Sequence, residues 1–463
     1  MGTGGVQQGS AGHHEGWSSR IVFLMAAVGA AVGLGNLWKF PYTAGVNGGA
    51  AFVLVYLVAV VAVAVPIVIA ELLIGRRGRM SPPNSFMVLA KEAGASRGWR
   101  FVGWMNLLAV FLILSFYSVV AGWALAYVPK IALGDFTGAS ADEVGAEFAA
   151  LLASPGRLAL LHALFMALTV SIVAVGLKRG IERAVRFLMP ALLLMLVALV
   201  IYATVAGDMG RTVEFLFQAD FSKIKAPVVL QAIGQAFFSV SVAMGLLITY
   251  GAYLDRETRL GSSAVYIAGA DTFVALLSGL AIFPLVFANA LDPAEGPGLI
   301  FVTLPIAFGQ MPAGALFGAM FFLLVLVSAI TSSIAILEPM VSWAEEHDWM
   351  RRGPAAIIAG AAAWLVGLAT VFSFNLWAGW VPLGRFERFR ESTVFDLIDY
   401  LTSNLLLPLG GMLIAIFVGW VLTAETTRNE LGVADSAAFR AWRFTLRFVA
   451  PLAVGWVLVA SLV

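Results

Sequence analysis

Residues 28–41, VGAAVGLGNLWKFP, constrain this chain more than any other stretch. They lie in an apolar segment, 21–40, that is long enough to cross a bilayer. Its centre nevertheless holds Gly29, Gly33 and Gly35, followed by Asn36 and Lys39. Glycine weakens a helix, and a polar amide in hydrocarbon is costly unless something binds it. A span broken at mid-depth leaves carbonyls and amides free, and such backbone is tolerated where protein buries it or a cavity adjoins it. Freed carbonyls attract Na⁺, and a half-helix N-terminus attracts carboxylates. The segment therefore reads as an ion and anion site as well as a span. Gly29-x-x-x-Gly33 is also the spacing of close helix packing, so the rest of the chain has to decide.

Composition sets the class. Of 463 residues, 61% are hydrophobic and only 12% charged, which excludes an ordinary soluble domain and implies a polytopic membrane protein. A net charge of +1 gives no reason to expect nucleic acid, and nothing points to an obligate protein partner. The absence of cysteine excludes disulfides, thiolate metal sites and cysteine nucleophiles. The first apolar segment has no A-x-A-like cleavage site and is read as a retained span behind a flexible tail, 1–16.

Apolar runs predict eleven spans: 21–40, 50–73, 101–128, 158–177, 184–206, 226–253, 263–288, 313–343, 355–374, 395–422 and 444–463. Residues 299–309 are too short to span and are expected to form a lid or re-entrant piece. Basic clusters set the orientation. Arg76, Arg77, Arg79, Lys91, Arg97 and Arg100 lie between the second and third spans. Lys178, Arg179, Arg183 and Arg186 follow the fourth, and Arg351 and Arg352 the eighth. All three clusters fall on one side, which is then cytoplasmic. The N-terminus is expected inside, and eleven spans put the C-terminus outside.

A second interruption occurs in the sixth span, 237–245, FFSVSVAMG. Breaks at the start of two five-helix halves point to an inverted-repeat transporter with its site at the repeat interface. Serines in membrane helices also bond back to their own backbone, which accounts for either break singly but not for their matching positions. Other polar groups within apolar segments are Glu71, Tyr117, Asp271, Ser333, Glu338 and Asp399. Ser328, Thr331 and Ser332 share one helical face and present hydroxyl oxygens together. Asp271 is the sharpest case, because a carboxylate within a span needs a cation or a proton. Glu71 and Glu338 lie near predicted cytoplasmic ends, where structural hydrogen bonding is at least as good a reading.

These residues resemble the neurotransmitter:sodium symporters, specifically the bacterial amino-acid members with the bacterial leucine-transporter fold and eleven helices. The most specific element is WSSR (17–20), AVGLGNLWKFP (31–41) and NGG (47–49). The resemblance implies an all-α polytopic membrane protein with a 5+5 inverted repeat. The halves would be 17–206 and 226–424, with an eleventh helix over 443–463. It implies sodium-coupled import of neutral, hydrophobic L-amino acids across a bacterial inner membrane.

The family's roles carry over residue by residue. One Na⁺ site would use Ala31, Asn36, Ser239 and Asp271, with the substrate carboxylate as the last ligand. The second would use Gly29, Val32, Ser328, Thr331 and Ser332. The carboxylate would also meet amides near Leu34 and Gly35 and the Tyr117 hydroxyl. Ile113, Phe238, Ser241, Ala243, Met244, Ser332 and Ile336 would line the side-chain pocket. Gly33 stands where monoamine carriers have an aspartate, which favours a zwitterion that supplies its own carboxylate. Lys39 and Asp399 would form the outer gate. His14, Trp17, Tyr253 and Glu346 would form the inner latch. Gly180 and Pro190 would mark an unwinding start of the fifth helix. Asp271 predicts that chloride is not required.

The chain departs from the family at several positions. Lys39 replaces the usual arginine, losing bidentate geometry, and Val46 replaces the usual glutamate before NGG. His14 falls on the latch arginine, which would make the latch sensitive to pH. An ungapped count back from Pro284 puts Ala270 at the sodium-ligand position. A one-residue shift onto Asp271 is preferred because that carboxylate needs a cation. Two other readings are a carrier of another small zwitterion and a non-transporting sodium-dependent receptor. An intramembrane hydrolase would need a serine paired with histidine or aspartate at membrane depth; of the histidines only His162 lies near a span, and no nucleophile motif faces it.

Overall fold

The computed structural model describes residues 16–293 and 298–462. Among these residues the chain is helical, without strands. Among the described residues, nine helices are long and apolar enough to cross a membrane. They are α2 (Ala50–Gly78), α3 (Arg97–Ala132), α4 (Pro155–Ala174), α5 (Leu177–Ala206), α7 (Leu260–Ala288), α8 (Gly314–Glu346), α9 (Arg352–Ser373), α10 (Val394–Val421) and α11 (Ala437–Leu462). The first span is a pair, α1a (Arg20–Ala31) and α1b (Gly35–Val46), bent by 51°. The sixth expected span is also split, into α6a (Ala226–Ser239) and α6b (Leu246–Ala252), each too short to cross alone. The described residues therefore hold ten spans with the first pair counted as one, against the eleven expected. Residues 299–309, expected as a lid, lie in a short apolar helix, Leu299–Gln310, with Leu299, Ile300, Phe301 and Leu304 buried.

Several helices outrun the apolar windows. The first span continues to Val46, not residue 40, and the third begins at Arg97 and ends at Ala132. Helix ends that reach polar surroundings carry residues such as Arg100 and Lys130, which a hydropathy window excludes.

α8 and α3 are the most enclosed spans, and α11 and α5 the least. Helices buried all round form the centre, while apolar faces of the outer ones remain for lipid. Both breaks sit against this centre.

The two breaks differ in construction. α1a ends at Ala31, and Val32 adopts an extended backbone. Between α6a and α6b the chain turns through left-handed residues, Ser241 at φ 57°, Ala243 at φ 66° and Gly245 at φ 72°. Left-handed non-glycine residues cost about 1–3 kcal/mol each and persist only where the surroundings hold them. Here Glu71 Oε1 accepts from Ala243 N at 3.1 Å, and Asn106 Nδ2 donates to Ala243 O at 2.6 Å. Glu71 is fully buried, and this bond ties it to the break.

Candidate functional site

The two breaks face each other across buried polar groups. Gln235 Nε2 of α6a donates to Gly35 O of α1b at 3.0 Å. Ser241 Oγ donates to Ala30 O at 3.2 Å. Ala30 O lies in the last turn of α1a, where an unbroken helix would satisfy it itself, whereas Gly35 O also accepts from Phe40 N.

The first oxygen cluster centres on Asp271 of α7, which is fully buried. Its Oδ2 accepts from Ser239 Oγ at 2.6 Å, and its Oδ1 from Asn36 Nδ2 at 2.8 Å. Asn36 Nδ2 also reaches Asp271 O at 3.0 Å and Ser239 Oγ at 3.1 Å. Tyr56 OH adds a bond to Ser239 Oγ at 3.3 Å. The one-residue shift onto Asp271 therefore brings it beside Asn36 and Ser239. No lysine or arginine pairs with Asp271 among the described residues. A buried carboxylate surrounded by neutral dipoles suits a cation. One detail differs from the expectation. Asn36 presents its nitrogen to the carboxylate, and its Oδ1 accepts from Gly33 N at 3.1 Å. Turning the amide over would present its oxygen to the cluster.

The second cluster joins α1a to α8 and contains no charge. Ser328 Oγ donates to Val32 O at 3.2 Å. Ser332 Oγ reaches Val32 O at 3.2 Å and Gly29 O at 3.3 Å. Thr331 Oγ1 donates to Ser328 O at 2.9 Å. All five expected ligands are thus within reach of one another. Three carbonyls and three hydroxyls fit a hard monovalent cation better than a divalent one, which favours carboxylates. Among the described residues no three His, Cys, Asp or Glu side chains gather as a metal site.

Gly33 and Tyr117 sit between the clusters. A Cβ on Gly33 would lie 2.7 Å from Ser332 Oγ and 3.1 Å from Tyr117 OH, so a side chain there would force Ser332 to move. Tyr117 OH is buried beside Ser332 and the Leu34 backbone, with no well-formed hydrogen bond to either. An unsatisfied buried hydroxyl is costly, and a carboxylate at the break would satisfy it. Ile113, Ala243, Met244 and Ile336, expected to line the side-chain pocket, are buried, and none of them lines the cavity that opens beside Tyr117 and Phe238. Phe238 is partly buried and lies over the Cβ position of Gly35, 3.1 Å away.

A cavity of about 210 Å³ leads to this point, lined by Leu34, Tyr117, Phe238, Lys39 and Asp399 among others. The expected outer gate is assembled but not joined. Lys39 Nζ lies over the Phe238 ring at 4.1 Å, and Asp399 accepts from Ser403 Oγ at 2.8 Å. Among the described residues no ion pair connects Lys39 to Asp399. A lysine reaches one acceptor at a time, and here the aromatic face holds it.

The inner latch is only partly as expected. His14 lies outside the described residues. Trp17 is buried, with Nε1 donating to Tyr250 O at 3.0 Å and N to Tyr253 O at 3.2 Å. Glu346 accepts from Ser81 N and Oγ and from Asn84 Nδ2. Tyr253 OH donates to Glu338 Oε1 at 2.8 Å, and Arg352 Nη1 reaches the same oxygen at 3.0 Å. Arg352 also pairs with Glu345 at 3.0 Å. The sequence reading missed Ser81 and Asn84, whose partner Glu346 is distant in sequence, and Arg352, which folds back from the start of α9 onto the end of α8. Gly180 lies in a π-helical turn, Leu177–Glu182, and Pro190 within α5. His162 Nε2 is 3.1 Å from Trp364 O, and no serine bonds it among the described residues.

Broken helices, buried oxygen clusters and a cavity above them define an ion-dependent membrane transporter. The chain belongs to the sodium:neurotransmitter symporter family, whose model matches residues 14–136 and 146–463. It is 36% identical over 441 residues to an uncharacterized sodium-dependent transporter, YhdH, of Bacillus subtilis, covering 95% of each chain. It is 22% identical to the sodium-dependent dopamine transporter of Bos taurus, over 97% of this chain and 69% of that one. A crystal structure of MhsT in complex with L-phenylalanine matches with a TM-score of 0.87 and 42% identity, over 97% of this chain and all of the other. Family and fold together establish sodium-coupled transport across a membrane.

Proposed function

We propose that this protein imports neutral, apolar L-amino acids together with Na⁺ by alternating access. The substrate carboxylate bridges Tyr117 OH and the first cluster, completing the coordination of one Na⁺ beside Asp271. A second Na⁺ occupies the cluster of Gly29, Val32, Ser328, Thr331 and Ser332. Ile113, Phe238, Met244 and Ile336 surround the substrate side chain and exclude charged substrates by desolvation cost. The two halves, 17–206 and 226–424, form inverted repeats with the site between them. The basic linkers face the cytoplasm of a bacterial plasma membrane, the N-terminus lies inside and the C-terminus outside. Asp271 supplies the fixed negative charge, so chloride is dispensable.

The observation that carries this reading is the buried Tyr117 hydroxyl, which with Ser332 and the Leu34 backbone faces Gly33 at the α1 break. It fits a carboxylate there, and a side-chain acid in its place would have to displace Ser332. The L-phenylalanine bound by the 42% identical MhsT supports an apolar amino acid as cargo. The test is uptake into proteoliposomes under a sodium gradient. Accumulation of an apolar L-amino acid that stops in potassium is expected. Sodium-dependent binding without accumulation would indicate a receptor instead.

A further inference from the structure

A carboxylate outside both clusters joins the two helices that enclose the second one. Glu182 closes the π-helical turn, Leu177–Glu182, that starts α5. Its side chain is 3% exposed. Its two oxygens accept from Ser18 N and Ser18 Oγ, each at 2.7 Å. Ser18 directly precedes Ser19, the N-cap of α1a. Glu182 therefore grips the start of α1a bidentately, at the end of the helix where negative charge is favoured. Arg186, one turn further along α5, also donates to Ser18 Oγ at 2.7 Å and reaches Glu182 Oε2 at 3.4 Å. Arg186 is largely exposed, so its ion pair with Glu182 adds little by itself.

The same helix covers the second cluster. Met189 of α5 is buried, and its Sδ lies 2.9 Å from the position of a Cβ on Gly29. Thr331 Cβ is 3.2 Å from that same point. Gly29 O and Thr331 Oγ1 both belong to the second cluster, so Met189 closes its α5 side. Met189 lies about two helical turns beyond Glu182. A helix held at its first turn keeps its later turns in register, and one released there can tilt or fray.

We propose that Glu182 is a positioning residue for sodium retention. By holding Ser18 it keeps α1a and α5 together, keeps Met189 over the second cluster, and sets how readily a cation there escapes toward the basic end. The sodium part rests on the proposed function, and the clamp itself does not.

The cysteine-free chain makes this measurable. Met189→Cys, in the full-length protein in nanodiscs, reports exposure through its rate of reaction with a charged, water-soluble thiol reagent. In that background Glu182→Ala is expected to speed labelling by about tenfold, the scale of one lost hydrogen bond to a charged group. Ser18→Ala removes one of the two donors and should have a smaller effect. The double variant should match Glu182→Ala alone, because both changes break one contact. Arg183→Gln, on the exposed side of the same turn, should change nothing. Unchanged labelling in Glu182→Ala, or strictly additive effects, would overturn the clamp. If Glu182→Ala does not fold, Glu182→Gln keeps the shape, removes the charge and should show the same direction. The sodium reading is read separately. Sodium should slow labelling with Glu182 present and do so less without it. A sodium-insensitive rate in every variant contradicts the assignment of the second cluster and its retention by Glu182, while leaving the tie itself standing.

Discussion

The two oxygen clusters lie close together, yet they are balanced in opposite ways. Around Asp271 a full negative charge is buried with only neutral donors, Asn36 and Ser239. Around Thr331 the hydroxyls of Ser328, Thr331 and Ser332 already donate to carbonyls, and no formal charge is present. Isolated charges are far costlier in a span than satisfied dipoles. On the proposed function the charged cluster depends on a cation and the substrate carboxylate comes with one. An ion at the neutral cluster would exchange at less cost, which suits a site from which an ion leaves. One helix break, at residues 32–34, supplies backbone near both.

This contrast can be broken by mutation, and the largest effect is expected at Asp271. Asp271→Ala should abolish sodium-dependent substrate binding, a loss beyond about 100-fold, because a charge in a cooperative buried network disappears. Asp271→Asn should restore part of it only when chloride is present. Binding that is independent of chloride in Asp271→Asn would show that the charge balance is set elsewhere. Tyr117→Phe comes next. It removes a charge-assisted bond of about 1.5–3 kcal/mol, roughly 10- to 100-fold in substrate affinity. Isothermal titration should show this loss with sodium affinity in the absence of substrate unchanged. Thr331→Ala touches only the neutral cluster. It should raise the sodium concentration for half-saturation by about fivefold, the scale of one neutral bond. The smallest effect is at the cavity mouth. Lys39→Ala loses the contact over Phe238, about 0.5–1 kcal/mol, and should slow substrate entry slightly without changing sodium dependence.

The parts of the site that were legible in the sequence are those set by local geometry. Gly29, Gly33 and Gly35 announce a break within one segment, and Ser328, Thr331 and Ser332 share a helical face by spacing alone. Asp271 was legible because a carboxylate within a span needs a partner. What was not legible depends on how distant helices meet. Tyr56 reaches Ser239, Glu71 reaches Ala243 and Glu182 reaches Ser18, and no periodicity connects these residues. Glu71 and Glu338 were recognisable as hydrogen-bonding residues, but Arg352 as the partner of Glu338 was not. Lys39 and Asp399 were placed on one cavity, whereas the choice of Phe238 over Asp399 is made by packing that the sequence does not display. The lengths of the spans were underestimated for a related reason. Polar helix ends look like loops to a hydropathy window.

The central claim is that sodium and an apolar amino acid bind as one unit through the substrate carboxylate. The most direct measurement is equilibrium binding of radiolabelled L-phenylalanine to the purified protein, repeated with its amide analogue, in sodium and in potassium. The account predicts saturable binding of the acid that rises with sodium, disappears in potassium, and is absent for the amide. Equal binding of the acid in potassium, or sodium-dependent binding of the amide, would contradict it.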